Sequence, residues 1–484
     1  MQELFGETRK LPKDRAGINI KGLTADSRQV EPGFLFAALP GVAADGVRFV
    51  SDALKNGAVA ILTGDAQGSI DTGNAVLVRV SNPRRELALA AARFYQDQPE
   101  ILAAVTGTNG KTSVASFLRQ IWVDMGFCAA NLGTTGVFGP EGHTYLGLTT
   151  PGPVQLHKVL RDLVSQGVTH GALEASSHGL EQNRLDGVRI TAAAFTNISR
   201  DHLDYHDGFE DYFAQKQRLF EELLPENSAV VTDRDSTGSD VVCQIAERRN
   251  LRLFCVGRKG GDLRLVGNER DGFGQRLAVE HEGRVHDVYL PLAGDFQVSN
   301  ALVAAGLAIV CGADAGPALA ALEKLQGASG RLELVGKTGA DAPVFVDYAH
   351  TPDALANALE ALRPYVSRNL VVVFGAGGDR DKGKRPLMGE VAARLADKVI
   401  VTDDNPRGED PAAIRAEILE SCPGADEIGA RAGAIETAIA GLGEGDVLLV
   451  AGKGHEEGQI VGDEVLPFSD HRVVSAALAK GAGT

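Results

Sequence analysis

The chain has 484 residues, too many for one hydrophobic core, and its length alone suggests about three domains. Its hydrophobic content of 44% and charged content of 23% are those of an ordinary globular protein, so sizeable cores can be buried. The formal net charge of −16 repels nucleic acid and anionic lipid at long range, which argues against both as partners and requires local cationic pockets for any anionic substrate.

The 58 glycines, set against only 5% aromatic residues, suit α/β turns and ligand loops. Five cysteines (Cys128, Cys243, Cys255, Cys311, Cys422) are an odd count without any C-x-x-C, which reads as buried free thiols in a reducing compartment rather than disulfides or a zinc site. Met1–Lys10 has no apolar signal region and no apolar run approaches 18 residues, so a cytoplasmic protein without membrane insertion is expected. There is no repeat and no low-complexity stretch.

Residues 1–98 read as a small α/β unit, with strands expected over 33–38, 58–62 and 75–80 and a helix over 86–95. The polar loops Thr24–Arg28 and Gly41–Gly46 flank strands, and by themselves read as turns. Gln96–Pro99 reads as a linker.

The second unit, 99–329, opens on a buried-strand run (101–105), the turn Gly107-Thr108-Asn109-Gly110-Lys111-Thr112-Ser113, and a helical segment. Such a Gly-rich strand-to-helix turn points successive N–H groups at one anion, and the helix dipole adds to them. Lys111 suits β/γ-phosphate oxygens and Thr112 suits Mg²⁺; the spacing Gly107-x-x-Gly110-Lys111-Thr112 is a shortened variant of the usual pattern. Further strands are expected at 170–175, 192–197 and 228–232, whose ends place Glu174 and Asn197 on the phosphate edge. Glu174 is a plausible Mg²⁺ ligand or a surface carboxylate. His202 and His206 have zinc-ligand spacing or begin a helix, and oxygen-rich surroundings favour Mg²⁺ over zinc. Lys216 falls inside an apolar stripe of helical period running from Phe209 to Leu224, where a lysine either snorkels out or is neutral and reactive. Asn300, early in an Ala-rich helix, caps, faces solvent or reads an adenine edge.

The third unit, 330–484, has strands expected at 344–347, 370–375, 399–403 and 446–452. Each ends in a polar cluster: Asp347–Pro352, Gly377–Arg385, Asp404–Arg407 and Lys453–Glu456. Four such ends on one edge of a parallel sheet make a cleft.

Six segments stand in the order found in the Mur ligases, which the whole chain resembles: Gly107–Thr112, Glu174–Gly179, Asn197–His206, Gly330–Glu333, Asp347–Pro352 and Ala451–Glu456. The resemblance implies an α/β fold of three domains: a small N-terminal UDP-sugar-binding domain (1–98), a central P-loop-type ATP-binding domain (99–329) and a C-terminal Rossmann-like amino-acid-binding domain (330–484). It implies a monomer whose third domain closes on the second. It also implies ATP-dependent amide-bond formation with Mg²⁺ in peptidoglycan precursor synthesis: the γ-phosphoryl group passes to a D-glutamate γ-carboxylate, and an amine attacks the resulting acyl phosphate.

Within the family, Asp404-Asn405-Pro406-Arg407 matches the motif of members that add meso-diaminopimelate to UDP-N-acetylmuramoyl-L-alanyl-D-glutamate. The planar fork of Arg407 can hold the distal carboxylate that lysine lacks. By resemblance, Arg380, Asp404, Asn405, Pro406, Gly452 and Glu456 complete that pocket. Gly107–Ser113, Asn300, Arg331 and Asp347 are carried over as ATP contacts. Ala25, Ser27, Val42, Ala43, Ala44, Thr149, Thr150, Ser176, Gln182 and Arg184 are carried over as contacts to the UDP-sugar dipeptide. Catalysis falls to Lys111, Glu174, His202 and Lys216, and metal binding to Thr112, Glu174, His202 and Lys216 as its carbamate. Leu148, before Thr149, and Gln297, ahead of Asn300, depart from residues often found in the family. Two other readings compete: a folylpolyglutamate synthetase, opposed by Asp404–Arg407 and the N-terminal unit, and a non-catalytic nucleotide-dependent switch, opposed by the joint presence of Lys111, Glu174, His202 and Lys216.

Overall fold

The structure, a computed structural model, describes residues 1–5, 17–41, 45–201 and 205–481. Val42, Ala43, Ala44 and His202 therefore lie outside the described residues.

Strands β1 (Gly22–Thr24), β2 (Phe34–Ala37), β3 (Ala60–Gly64) and β4 (Val76–Val80) form a parallel sheet in chain order. In β4 the alternation of Val76, Val78 and Val80 with Leu77 and Arg79 buries one face, and the helix Pro83–Tyr95 covers it with Leu87, Ala90 and Ala91. That helix starts where Asn82 accepts from Arg85 N at 3.0 Å and Pro83 takes the first turn. Gln96–Pro99 is not a slack linker. The Gln98 side chain donates to Gly187 O and accepts from Arg189 N, both at 2.9 Å, while Asn82 and Arg85 reach Asn183 and Asp186. These bonds join the first unit to the second.

The central sheet comprises β5 (Ile101–Thr106), β6 (Ala129–Gly133), β7 (Gly136–Gly139), β8 (Gly142–Thr144), β9 (His170–Glu174), β10 (Ala192–Phe195), β11 (Ala229–Asp233), β12 (Arg252–Gly257), β13 (Leu263–Asp271), β14 (Gly274–His281) and β15 (Arg284–Leu290). Its order is β15-β14-β13-β12-β11-β10-β5-β9-β6-β7-β8. β5 lies between β9 and β10, parallel to both, where the winding reverses; a ligand crevice opens there beyond the carboxyl ends. The antiparallel meander β13–β15 was not expected, because its charged residues interrupt any apolar run. At its tip Phe273 stacks on Tyr365 (5.2 Å) and Arg270 donates to Pro364 O at 2.7 Å, fastening the second unit to the third.

The third sheet has the order β16-β17-β21-β18-β19-β20, from β16 (Glu333–Lys337), β17 (Pro343–Asp347), β18 (Leu370–Phe374), β19 (Lys398–Val401), β20 (Asp426–Glu427) and β21 (Val447–Ala451). All pairs except β16·β17 are parallel, so the four polar clusters following β17, β18, β19 and β21 share one edge. A hairpin, β22 (Gly458–Val461) and β23 (Glu464–Pro467), follows.

One buried core group gives a pH test. His157, on the helix Pro153–Ser165, is 1% exposed, and burial pulls its pKa from 6.5 to about 4. Between those values the unfolded chain takes up a proton that the folded protein refuses, so stability is lost as pH falls, by at most about 3 kcal/mol. His157→Gln is expected to flatten the stability profile from pH 6.5 to 4, read by urea unfolding; an unchanged slope would assign the acid sensitivity elsewhere.

Candidate active site

The phosphate loop leaves β5 and enters the helix Lys111–Asp124. Gly107 (φ +144°) and Gly110 (φ +87°) adopt backbone that side chains disfavour, and a Cβ at Gly110 would strike the Asn300 amide. The loop is braced from β10. Asn197 takes Asn109 N at 3.0 Å and Thr108 N at 2.8 Å, Thr196 donates to Asn109 O at 2.6 Å, and the Thr108 hydroxyl meets Tyr212 OH at 3.0 Å. Lys111 curls back onto the carbonyls of Gly107 (3.0 Å) and Thr108 (2.8 Å), and burial lowers its pKa against the pull of Glu174 and Asp201.

Lys216 does not snorkel. Its residue is 1% exposed, and Nζ donates to Gly107 O at 2.7 Å and sits 4.6 Å from the Tyr212 ring centre. Two lysines thus converge on one carbonyl. Burial first, and the Lys111 charge second, push Lys216 well below the ordinary lysine value. The uniform helical stripe was only partly right. Helix Phe209–Arg218 passes into a π-helical turn, Leu219–Leu223, and Phe209 is exposed, so the buried face begins at Tyr212.

Glu174, at the end of β9, is 2% exposed and accepts from Thr134 N (2.9 Å) and Thr134 Oγ1 (3.1 Å); that hydroxyl lies 3.0 Å from Thr149 Oγ1. Thr150, 2% exposed, donates to Glu174 O and accepts from Ser176 N and Oγ. Arg184 reaches Thr150 O at 2.6 Å and Gln182 Oε1 at 2.8 Å, so the five residues Thr149, Thr150, Ser176, Gln182 and Arg184 form one connected network beside the cleft. Ala25 and Ser27 stand on the first unit at the carboxyl end of β1, Ala25 exposed and Ser27 half-buried. Leu148 is exposed.

Across the cleft, Arg331 of the third unit donates to Thr112 Oγ1 at 3.3 Å and lies 4.7 Å from the Tyr348 ring centre. Asp347 accepts from Leu332 N (2.5 Å) and Ala349 N (2.7 Å), and burial raises its carboxyl to about 6. Asn300 is buried and donates to Gln297, which in turn donates to Arg331 O; Gln297 thereby couples the helix Asp295–Val310 to the third unit. The cleft enclosed by these groups has a volume of about 510 Å³. Asp201 and Tyr348, which were not among the expected site residues, line it as well. Thr134 was missed because Asn131 and Gly133 break the apolar run that would have marked β6.

Farther along the third sheet edge, Asn405 donates to Glu456 at 2.9 Å, and Lys453, fully buried, donates to both Asn405 (2.8 Å) and Glu456 (3.0 Å). Asp404 is 8% exposed, and its Oδ2 has no hydrogen-bond partner among the described residues. Arg407 adopts φ +52°, held by Arg407 N to Ile460 O (3.0 Å) and Gly462 N to Arg407 O (2.8 Å). Its Nη1 donates to Gly378 O at 2.9 Å, with no carboxylate partner among the described residues. Pro406 packs its carbonyl against Gly378, and Gly452 N donates to Asp347 O at 3.0 Å. Arg380 is exposed and sits on the loop facing Arg407. Arg431, paired with Asp470 (2.7 Å) and fully buried, donates to Ala451 O and fixes the end of β21.

Thr112, Glu174 and Lys216 line one cleft, and the oxygens of Thr112 and Glu174 suit Mg²⁺. Among the described residues no cluster of three or more His, Cys, Asp or Glu could hold a metal alone, so nucleotide oxygens would have to complete the shell. His206 is buried, 3.3 Å from Asp211, and belongs to a ring cluster with His178 and Tyr212, with no zinc set around it among the described residues.

Fold and cleft together define an α/β protein with a phosphate-type loop in a cleft lined by residues of two domains. Residues 19–104 match "Mur ligase family, catalytic domain", 105–308 "Mur ligase middle domain" and 330–454 "Mur ligase, glutamate ligase domain". The chain belongs to the Mur ligase family, ATP-dependent ligases that form amide bonds. Among curated relatives, proteins named UDP-N-acetylmuramoyl-L-alanyl-D-glutamate--2,6-diaminopimelate ligase from Brucella melitensis and Caulobacter vibrioides are 56% and 53% identical, covering 98% and 93% of this chain and 97% and 94% of their own. A solved structure under the same name is 33% identical with TM-score 0.72, covering 100% of this chain and 99% of its own. A folylpolyglutamate synthase from Mycobacterium tuberculosis, 18% identical with TM-score 0.63 over 83% of this chain and 94% of its own, shares the fold.

Proposed function

We propose that the protein adds meso-diaminopimelate to the D-glutamate γ-carboxylate of UDP-N-acetylmuramoyl-L-alanyl-D-glutamate, consuming ATP, as a cytoplasmic monomer. The observation that carries this reading is the third sheet edge, where Arg407 stands on the loop after β19 and Asn405 is bonded to Glu456 after β21. An arginine fork with no carboxylate partner among the described residues complements an amino acid with a distal carboxylate, and Asp404 and Glu456 on the same sheet edge complement its ammonium. The relatives' shared name points the same way. We assign 1–98 to the UDP-sugar, 99–329 to ATP and 330–484 to the amino acid.

In this reading Lys111 neutralises the β- and γ-phosphate oxygens while Thr108, Asn109 and Gly110 cradle them. Asn300 and Asp347 hold the nucleoside end, and Arg331 reaches over the phosphates. Thr149, Thr150, Ser176, Gln182 and Arg184, with Ala25, Ser27 and the 42–44 loop, seat the UDP-sugar dipeptide so that its γ-carboxylate lies in line with the γ-phosphorus. Thr112, Glu174, His202 and Lys216 as a carbamate would hold Mg²⁺, which supplies charge neutralisation at the transferring phosphoryl group. Arg407, Arg380 and Asn405 grip the carboxylate end of diaminopimelate, and Glu456 with Asp404 orients the amine that attacks the acyl phosphate.

Phosphate release from ATP with UDP-N-acetylmuramoyl-L-alanyl-D-glutamate tests the reading. Release is expected with meso-diaminopimelate and not with L-lysine or without amino acid. Release with lysine would keep the ligase and overturn the Arg407 pocket; no release from a folded, ATP-binding sample would overturn the ligase.

A further inference from the structure

Two cysteines on successive elements of the second unit face each other beside the central sheet. Cys243 lies on the helix Ser239–Arg248 and Cys255 on β12, which that helix packs against; the two side chains are neighbours, and both lie near Arg234. Arg234 Nη1 donates to Cys243 Sγ at 2.8 Å, and its Nη2 pairs with Asp240 at 2.9 Å. The Cys243 sulfur accepts from Arg234 with the Cys255 side chain beside it, which favours its thiolate, while the Cys255 thiol is pushed up. The other charged group facing them is Asp262, whose carboxylate accepts Cys255 N at 2.7 Å. Cys243 is 7% exposed and Cys255 is half-buried, so a small oxidant needs only local breathing to arrive. By contrast, burial pushes up the thiols of Cys311 and Cys422, which leaves them inert.

We propose that Cys243 and Cys255 are an oxidisable dithiol that closes to a disulfide on reaction with a hydroperoxide. The Cys243 thiolate attacks one peroxide oxygen, the O–O bond breaks, and the other oxygen leaves as water after taking a proton. The resulting Cys243 sulfenic acid is attacked by the Cys255 sulfur, which forms the S–S bond and expels a second water. Two thiols lose two electrons, and one hydrogen peroxide becomes two waters. Arg234 holds the reacting sulfur ionised.

The test is treatment of the full-length protein with stoichiometric hydrogen peroxide at about pH 7, a quench with N-ethylmaleimide, and peptide mapping without reduction. A linked Cys243–Cys255 peptide is expected, with Cys128, Cys311 and Cys422 alkylated. Cys255→Ser is expected to leave a sulfenic acid at Cys243 that a dimedone probe traps. Arg234→Gln is expected to slow linking about tenfold at neutral pH, the effect of roughly one pKa unit on thiolate fraction. Cys243 recovered alkylated without a link, another cysteine oxidising first, or Arg234→Gln reacting at the wild-type rate would overturn the proposal. Should Arg234→Gln fail to fold, the pH profile of Cys243 alkylation in the unmodified protein decides: a midpoint well below the ordinary thiol value of about 8.5 supports it, and one at or above that value overturns it.

Discussion

Lys216→Ala is expected to abolish ligation, lowering kcat by about a thousandfold, and a short carboxylic acid such as acetate is expected to restore part of the rate. The reason lies in where the amine sits. Lys216 Nζ is buried, donates to Gly107 O at 2.7 Å and shares that carbonyl with Lys111. A second ammonium there would repel the first in a medium that does not solvate either, so the amine sheds its proton. A neutral primary amine attacks the carbon of carbon dioxide, opening one C=O bond, and loses a proton to solvent to become a carbamate, an anion beside the loop where Mg²⁺ would be held. Alanine removes that anion and opens a pocket into which a small carboxylate fits. Steady-state turnover with and without acetate, together with ATP binding by calorimetry, reads the result. Near-normal turnover would refute the carbamate, and loss of ATP binding along with turnover would show a collapsed loop instead.

Arg407→Ala is expected to raise the KM for diaminopimelate by about two orders of magnitude with little change in the KM for ATP, since a charge-assisted pair held by a fork contributes on the order of 1.5–3 kcal/mol. Arg407 stands at φ +52°, a strained conformation for a residue with a side chain, and the β22–β23 hairpin keeps it there through Ile460 and Gly462. Nη1 is anchored on Gly378 O, which leaves the rest of the fork to meet a ligand. Arg407→Lys is expected to recover only a small part of the affinity, because an ammonium cannot make two parallel bonds. If Arg407→Ala left diaminopimelate use unchanged, the selectivity argument would collapse. Equal rises in both KM values would point instead to altered domain closure.

Much of the site was legible in the sequence because its parts are local. A strand run into Gly107–Thr112 specifies a phosphate loop within a dozen residues, and the ordered segments from Glu174 to Glu456 carry their chemistry in fixed spacings. Parallel winding then places strand ends on common edges, so Glu174, Asn197, Asp347 and Asp404 were expected where they stand. The sequence by itself therefore determined the three α/β units, the loop and the family.

Only the tertiary structure decided which lysine outcome held at Lys216, because snorkelling or burial depends on Tyr212 and Gly107 closing around it, a contact between distant segments. The π-helical turn at Leu219–Leu223 was hidden for a similar reason: apolar periodicity does not distinguish one extra residue in a turn whose packing pulls it inward. The reach of Arg331 to Thr112, the brace of Thr134 on Glu174, and the meeting of Cys243 with Cys255 likewise join residues that no spacing relates. Side-chain chemistry and short-range period are written along the chain. Desolvation, by contrast, arises only when separate elements pack, and it set the charge states expected of Lys216, Asp347 and Cys243.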